Sequence, residues 1–118
     1  MIEKGDYIID GGACYGDTAL YFSNLCGEDG KVFSFEFIKN NIEIFNKNIK
    51  LNINLSNRIK LIENPLYSVS NVDLFISNDG PSSSIIYNKY KNNSYKSICI
   101  DDFVIQNNIE KIDFIKLD

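Results

Sequence analysis

Apolar and polar positions follow two rhythms along this chain, and its elements begin and end where one rhythm gives way to the other. Tyr7-Ile8-Ile9 is a short apolar run that ends at Asp10 and breaks at Gly11-Gly12-Ala13, the pattern of a buried strand entering a turn. From Asp17, the segment Thr18 to Cys26 suits a short helix, with Asp17 placed to cap or charge-stabilise its start and Gly27 to end it. Lys31 to Phe37 is rich in β-branched and aromatic residues and predicts a second strand. Ile38, Ile42, Phe45 and Ile49 recur at helical spacing, with Lys39, Asn40, Glu43, Asn46 and Lys47 on the other side, which predicts an amphipathic helix. Arg58 to Glu63 alternates as a third strand, closed by Asn64-Pro65.

The pattern changes between Val72 and Ile100. Val72 to Ile76 and Ser84 to Tyr87 flank Asn78-Asp79-Gly80-Pro81, a strong turn signal, and predict a β-hairpin. A further short strand is expected at Ser97 to Ile100. Asp101-Asp102 is placed to cap a helix running to Asn107, and Ile112 to Leu117 forms a last apolar strand ending at Asp118. Strands alternating with helices imply a parallel sheet with right-handed crossovers, here with a small β-insert. Ligands of such sheets sit beyond the carboxyl ends of the strands. Asp10, Glu36, Asn64 and Asp118 lie at four such ends and are expected to share one rim.

Composition narrows the function. A chain of 118 residues supports one domain, expected over 1–118, and its 44% apolar and 24% charged content is that of a globular protein. A net charge of −4, with no lysine-rich stripe interleaved with aromatics, argues against nucleic acid as the main partner. With no histidine and three cysteines outside any Cys-x-x-Cys pair, a structural zinc site and a histidine-based triad or base are not expected. A reduced, cytoplasmic setting fits that cysteine usage. The polar start at Met1 to Asp6 lacks the apolar core of a signal peptide, and no run approaches the roughly 20 apolar residues that span a bilayer. No membrane partner is expected.

The chemistry gathers at Asp10-Gly11-Gly12-Ala13-Cys14-Tyr15-Gly16, between a strand and a helix, which is the context a nucleotide loop requires. Glycines let the backbone turn sharply and let a ligand approach with no Cβ in the way. An ordinary tight strand–helix turn is the alternative. Glu36 lies about twenty residues past the loop, where a carboxylate accepts hydrogen bonds from both ribose hydroxyls; the alternative is a solvated acid at a strand end. Together they point to an adenosine-type ligand. Read as Gly11-x-Ala13-x-x-Gly16, the loop could hold the pyrophosphate of NAD or FAD. Asp10 before it and Asp17 after it would repel that anion by about a few kcal/mol at intermediate dielectric. S-adenosylmethionine carries an ammonium, a sulfonium and one carboxylate, so an acidic rim suits it better.

Several pieces, in this order and spacing, carry a resemblance. They are Ile9-Asp10-Gly11-Gly12-Ala13 with Gly16-Asp17-Thr18, then Phe35-Glu36-Phe37, Asn64-Pro65-Leu66-Tyr67-Ser68, Ile100-Asp101-Asp102-Phe103 and Ile112 to Asp118. In them the chain resembles the FkbM family of S-adenosylmethionine-dependent O-methyltransferases over nearly its whole length. It departs at Phe37, where the family more often has proline, and at Leu66, where a small residue is usual. The resemblance implies a class I methyltransferase fold, an α/β Rossmann-like parallel sheet with helices on both faces. It also implies truncation after the fourth core strand, before an "EGxE" turn and the strands that complete the acceptor pocket, so that this fragment would turn over weakly or not at all.

Roles follow from the same resemblance. Gly11, Gly12, Ala13 and Gly16 would form the methionine-side loop, and Asp10 would attract the donor's ammonium directly or through water. Asp17 and Thr18 would open the next helix, as plain capping residues or as ligand contacts. Glu36 would hold the ribose, with Phe37 beside it. Asn64 and the Leu66 backbone would lie near the adenine edge, although Asn64 equally suits a turn before Pro65. Asp118 is the candidate catalytic carboxylate, able to bind the ammonium or to assist deprotonation of an acceptor hydroxyl. Lys116 reads as structural, Tyr15 as packing, and Ser82 to Ser84 as turn residues without a role. The implied acceptor is a hydroxyl of a sugar, glycan or secondary metabolite. Two other readings stand beside this one. A non-catalytic nucleotide-binding or oligomerising module would self-associate through the open sheet edge at the Asp118 strand, and an NAD-dependent oxidoreductase is disfavoured by Asp10.

Overall fold

The structure, a computed structural model, describes residues 1–76, 85–86 and 94–118. The chain divides into two compact units, Met1–Glu63 with Ile109–Asp118, and Asn64–Asn108.

In the first unit, strand β1 (Tyr7–Gly11) leads through helix α1 (Asp17–Cys26) to β2 (Lys31–Phe35). Helices α2 (Lys39–Lys50) and α3 (Ile53–Ser56) then lead to β3 (Ile59–Ile62). The predicted boundaries hold to within a residue or two for β1, α1, α2 and β3. The short α3 was not expected: Ile53-Asn54-Leu55-Ser56 is a single turn with no capping side chain, too brief for a periodic signal. A last strand of this unit (Phe114–Lys116) is shorter than its apolar run; it is the seventh in chain order and is called β7. The four strands are all parallel, in the order β3-β2-β1-β7.

Alternation along the strands sorts their side chains. Ile8 and Val32 face the helices and form one core with Ala13, Ala19, Phe22, Cys26 and Phe45, against which Ile49, Ile59, Leu61 and Phe114 pack. Ile9, Phe33 and Phe35 on the other face are buried as well, as expected for parallel strands. Ser23 in α1 ties the helical layer together: its hydroxyl donates to the Leu55 carbonyl and its carbonyl accepts from Arg58 Nη1. At the opposite end of the sheet from the glycines, Tyr7 N donates to Asp113 Oδ2 and Asp113 N returns a bond to the Tyr7 carbonyl. That reciprocal pair seats β7 beside β1.

Among its described residues the second unit holds three short antiparallel strands, β4 (Asp73–Ile76), β5 (Ile85–Ile86) and β6 (Ser94–Lys96), in the order β5-β4-β6, and helix α4 (Ile100–Gln106). The predicted hairpin pairing of β4 with β5 is present, while its turn, Asn78 to Pro81, and Ser82 to Ser84 lie outside the described residues. The strand expected at Ser97 to Ile100 is displaced to Ser94–Lys96, and Ile98 makes only an isolated bridge with Leu66. Ser97 is the reason. It is buried, donating to the Val69 carbonyl and accepting from Val72 N, so a polar residue occupies an inward position and disguises the alternation. Asp101 and Asp102 do not cap α4. They lie in its first turn, behind Cys99 at the cap position, and hydrogen bonds to Ser70 and Cys99 hold the Asp102 carboxyl below its ordinary range.

Candidate cofactor-binding site

The strand order places the site. From β1 the chain moves through β2 to β3 on one side, and β7 then takes the other side of β1. The carboxyl ends of β1 and β7 therefore flank a topological switch point, where sheets of this kind open a crevice. Residues 11–16 turn there. Gly12 has φ +71°, and a Cβ on it would come within 3.1 Å of Asp118 Oδ2 and 3.2 Å of Asp118 Cβ. Gly16 has φ +91° and packs so closely that a Cβ would come within 3.2 Å of Phe45. Both positions need glycine for conformation and for space.

Four backbone donors of this turn are spent internally. Gly12 N and Ala13 N both donate to the Phe35 carbonyl, Cys14 N donates to Glu36 Oε1, and Gly16 N donates to the Ala13 carbonyl. A phosphate-binding loop directs such N–H groups at its ligand. This one commits them to the protein.

Glu36 follows β2 and is 5% exposed, which removes the reading of a solvated strand-end acid. Besides Cys14 N at 2.8 Å on Oε1, its Oε2 accepts from Phe37 N at 3.1 Å and Ile38 N at 3.0 Å. Ile38 caps α2 with its backbone alone, so the carboxylate also serves the positive end of that helix. Phe37 is half-buried beside it.

Asp10 and Asp118 bracket Lys116. Asp10 is 0% exposed; its Oδ2 accepts from Ser34 Oγ at 3.2 Å, while Oδ1 has no hydrogen-bond partner. Lys116 Nζ lies 3.4 Å from that Oδ1 as an ion pair. It donates instead to Asp118 Oδ2 at 2.9 Å and to the Gly11 and Gly12 carbonyls at 3.2 and 3.1 Å. Burial raises the Asp10 carboxyl above its ordinary value, and Lys116 and Ser34 only partly offset that. Burial alone would lower the Lys116 ammonium, but its bond to Asp118 and the nearby Asp10 charge outweigh this and raise it. Both shifts are upward, but burial decides the first and charged partners the second, because Asp10 loses all contact with water whereas Lys116 keeps some. The side chains of Lys116 and Asp118 are 22% and 65% exposed.

The other sequence-derived candidates are divided between the two units. Gly11 ends β1 and is buried, and Ala13 is buried in the core. Asp17 does not cap α1: the cap residue is Gly16, without a side-chain bond, and Asp17 contributes only its charge to the first turn. Thr18 is half-buried next to it. Asn64 and Leu66 belong to the second unit, where Asn64 Nδ2 donates to the Lys96 carbonyl and Leu66 bridges Ile98. Lys116 is the residue that sequence reasoning undervalued. The available signal was its phase: on β7 it shares a face with core-packed Phe114, while Ile115 between them is exposed. Among the described residues no group of histidine, cysteine or acidic side chains could hold a metal ion, and no helix is long and apolar enough to cross a membrane.

A parallel α/β sheet with a glycine turn at its switch point and a buried acid after the second strand defines a Rossmann-like nucleoside-binding class. Within it, the model of the methyltransferase FkbM domain matches residues 10–118, and the chain belongs to that family. Among solved structures it is similar to a putative rRNA-methylase from Clostridium thermocellum, with 28% identity, a TM-score of 0.51, and coverage of 54% of this chain and 34% of that one. A SAM dependent methyltransferase from Aquifex aeolicus is 19% identical with a TM-score of 0.48, covering 53% of this chain and 32% of that one. The chain thus spans about a third of the length of these two structures. No curated protein matches it.

Proposed function

We propose that this chain is the donor-binding part of an S-adenosylmethionine-dependent O-methyltransferase that acts in the cytoplasm on a hydroxyl of a sugar, glycan or secondary metabolite. The observation that carries the reading is Glu36: a buried carboxylate joined to the glycine turn, at the strand end where a ribose is held in this class. The residues fit such a donor in two further ways. Asp10 Oδ1 is a buried acceptor without a hydrogen bond, suited to a cation. The N–H groups of Gly12, Ala13, Cys14 and Gly16 are already used, which disfavours the diphosphate of a nicotinamide cofactor.

When bound, the donor supplies a methyl group already activated by the sulfonium. The chain's own work is to hold and orient it, Glu36 at the ribose and Asp10 at the ammonium end. Asp118, largely exposed, is the carboxylate we assign to take the proton from the acceptor hydroxyl. An RNA acceptor, which the description of the Clostridium thermocellum protein suggests, meets a net charge of −4 here and would be repelled. Calorimetric titration with S-adenosylhomocysteine tests the proposal. Saturable binding that the Glu36→Ala variant abolishes is expected; absence of heat at millimolar ligand would overturn it.

A second reading rests on β7. It is the outermost strand of its sheet among the described residues, and Ile115 and Leu117 are exposed on and beside it, features of an edge open to pairing. Self-association through this edge predicts a sedimentation coefficient that rises with concentration; a monodisperse monomer at high concentration would remove it.

A further inference from the structure

The Lys116 ammonium has three hydrogens to donate, and it spends them on the Gly11 and Gly12 carbonyls and Asp118 Oδ2. Asp10 Oδ1, wholly buried, is left with the charge 3.4 Å away and no hydrogen bond. This centre holds more acceptor oxygens than one ammonium can serve. Lys116 also bridges the buried carboxylate to the exposed one, so a second cation at Asp10 Oδ1 must compete with the charge already there. A primary alkylammonium and the α-ammonium of an amino acid are the same chemical group, with the same charge, hydrogen count and preferred acceptors. The lysine thus occupies in the free protein the place that suits the amino-acid end of the donor.

We propose that Lys116 is a resident cation at the amino-acid subsite. It holds the glycine turn and neutralises Asp10 until the ligand's ammonium displaces it, and it then keeps only its bond to Asp118. The inference rests on the donor-binding reading above. Lys116 is on this view a specificity residue: it sets how strongly the amino-acid end contributes to binding and does not touch the adenosine end.

Two thioethers separate the contributions, S-adenosylhomocysteine and 5′-methylthioadenosine, which share the adenosine and the sulfur but differ in the amino-acid end. Both are titrated calorimetrically into the wild-type chain and the Lys116→Met variant. The ratio of the two Kd values should move by at least about fivefold in favour of S-adenosylhomocysteine in the variant, because its ammonium no longer competes with a resident charge for Asp10 Oδ1. A lysine that only supports the turn would weaken both ligands together, and an unchanged or reversed ratio overturns the inference. Should the variant not fold, the wild type carries the test: the Lys116 ¹³Cε resonance should shift on adding S-adenosylhomocysteine and stay in place with 5′-methylthioadenosine. Equal shifts with both ligands, or with neither, would overturn it. A wild-type chain that binds neither thioether removes the functional reading itself, and that result is visible before any variant is made.

Discussion

The two sides of the glycine turn are complemented by opposite chemistry. On the β2 side a carboxylate, Glu36, gathers backbone N–H groups from Cys14, Phe37 and Ile38. On the β7 side an ammonium, Lys116, serves the carbonyls of Gly11 and Gly12. Each neighbouring strand thus supplies the ion that the peptide groups facing it require, since buried backbone polar groups left unpaired are costly. The sides differ in how completely they close. Glu36 is buried with both oxygens occupied. The Lys116 side keeps an unmet acceptor and an exposed carboxylate. The comparison teaches that the first side fixes the turn's shape, and the second is where its charge can still be exchanged.

Breaking the closed side should cost most. Glu36→Ala strands three inward-facing N–H groups and should lower unfolding free energy by about 3 kcal/mol in urea titration, with ligand binding lost. On the other side, Lys116→Met leaves Asp10 buried without its counter-ion and should cost about 2 kcal/mol, less than a fully buried pair because Asp10 can take up a proton. Asp10→Asn in that background should return part of the loss, and a double-mutant cycle measures the coupling. Gly12→Ala, which places a methyl group in a left-handed turn against Asp118, should cost about 1.5 kcal/mol.

Alkaline titration separates the two sides without altering the turn. The Lys116 pKa is raised above 10.5 in the folded chain. Its stabilisation is therefore complete below that unfolded value and is lost as pH rises through the higher folded one. The urea midpoint of the wild type should begin this fall above about pH 10.5, and the difference between wild type and Lys116→Met should shrink as the folded pKa is passed. Smallest of all, Lys96→Ala in the second unit removes an exposed pair with Asp73 and should change stability by less than about 0.5 kcal/mol.

Much of this was legible in the chain. The strands and helices of the sheet unit follow from side-chain period, because burial against helices selects apolar residues at fixed spacing, as at Ile8, Val32, Phe45 and Ile49. The acids at the strand ends follow from the alternation of strand and helix. Less could be read where polar groups are buried by hydrogen bonding, as at Ser97, or where an element is one turn long, as at Ile53–Ser56. Period gives the face on which Lys116 lies but not its role, which depends on β7 lying beside β1, and hydrophobic rhythm does not encode which strands are neighbours. Nor could it show that Asp10 would be sealed from water by that lysine.

The pairing of β1 with β7 has a consequence in time. Lys116 and the glycine carbonyl it holds are 105 residues apart, which at ribosomal speeds of about 5–20 residues per second separates their synthesis by roughly 5–20 s. Throughout that interval the nascent glycine segment lacks one of its two clamps. Its final geometry must be set late, after the long loop between these strands has closed and its entropic cost has been met.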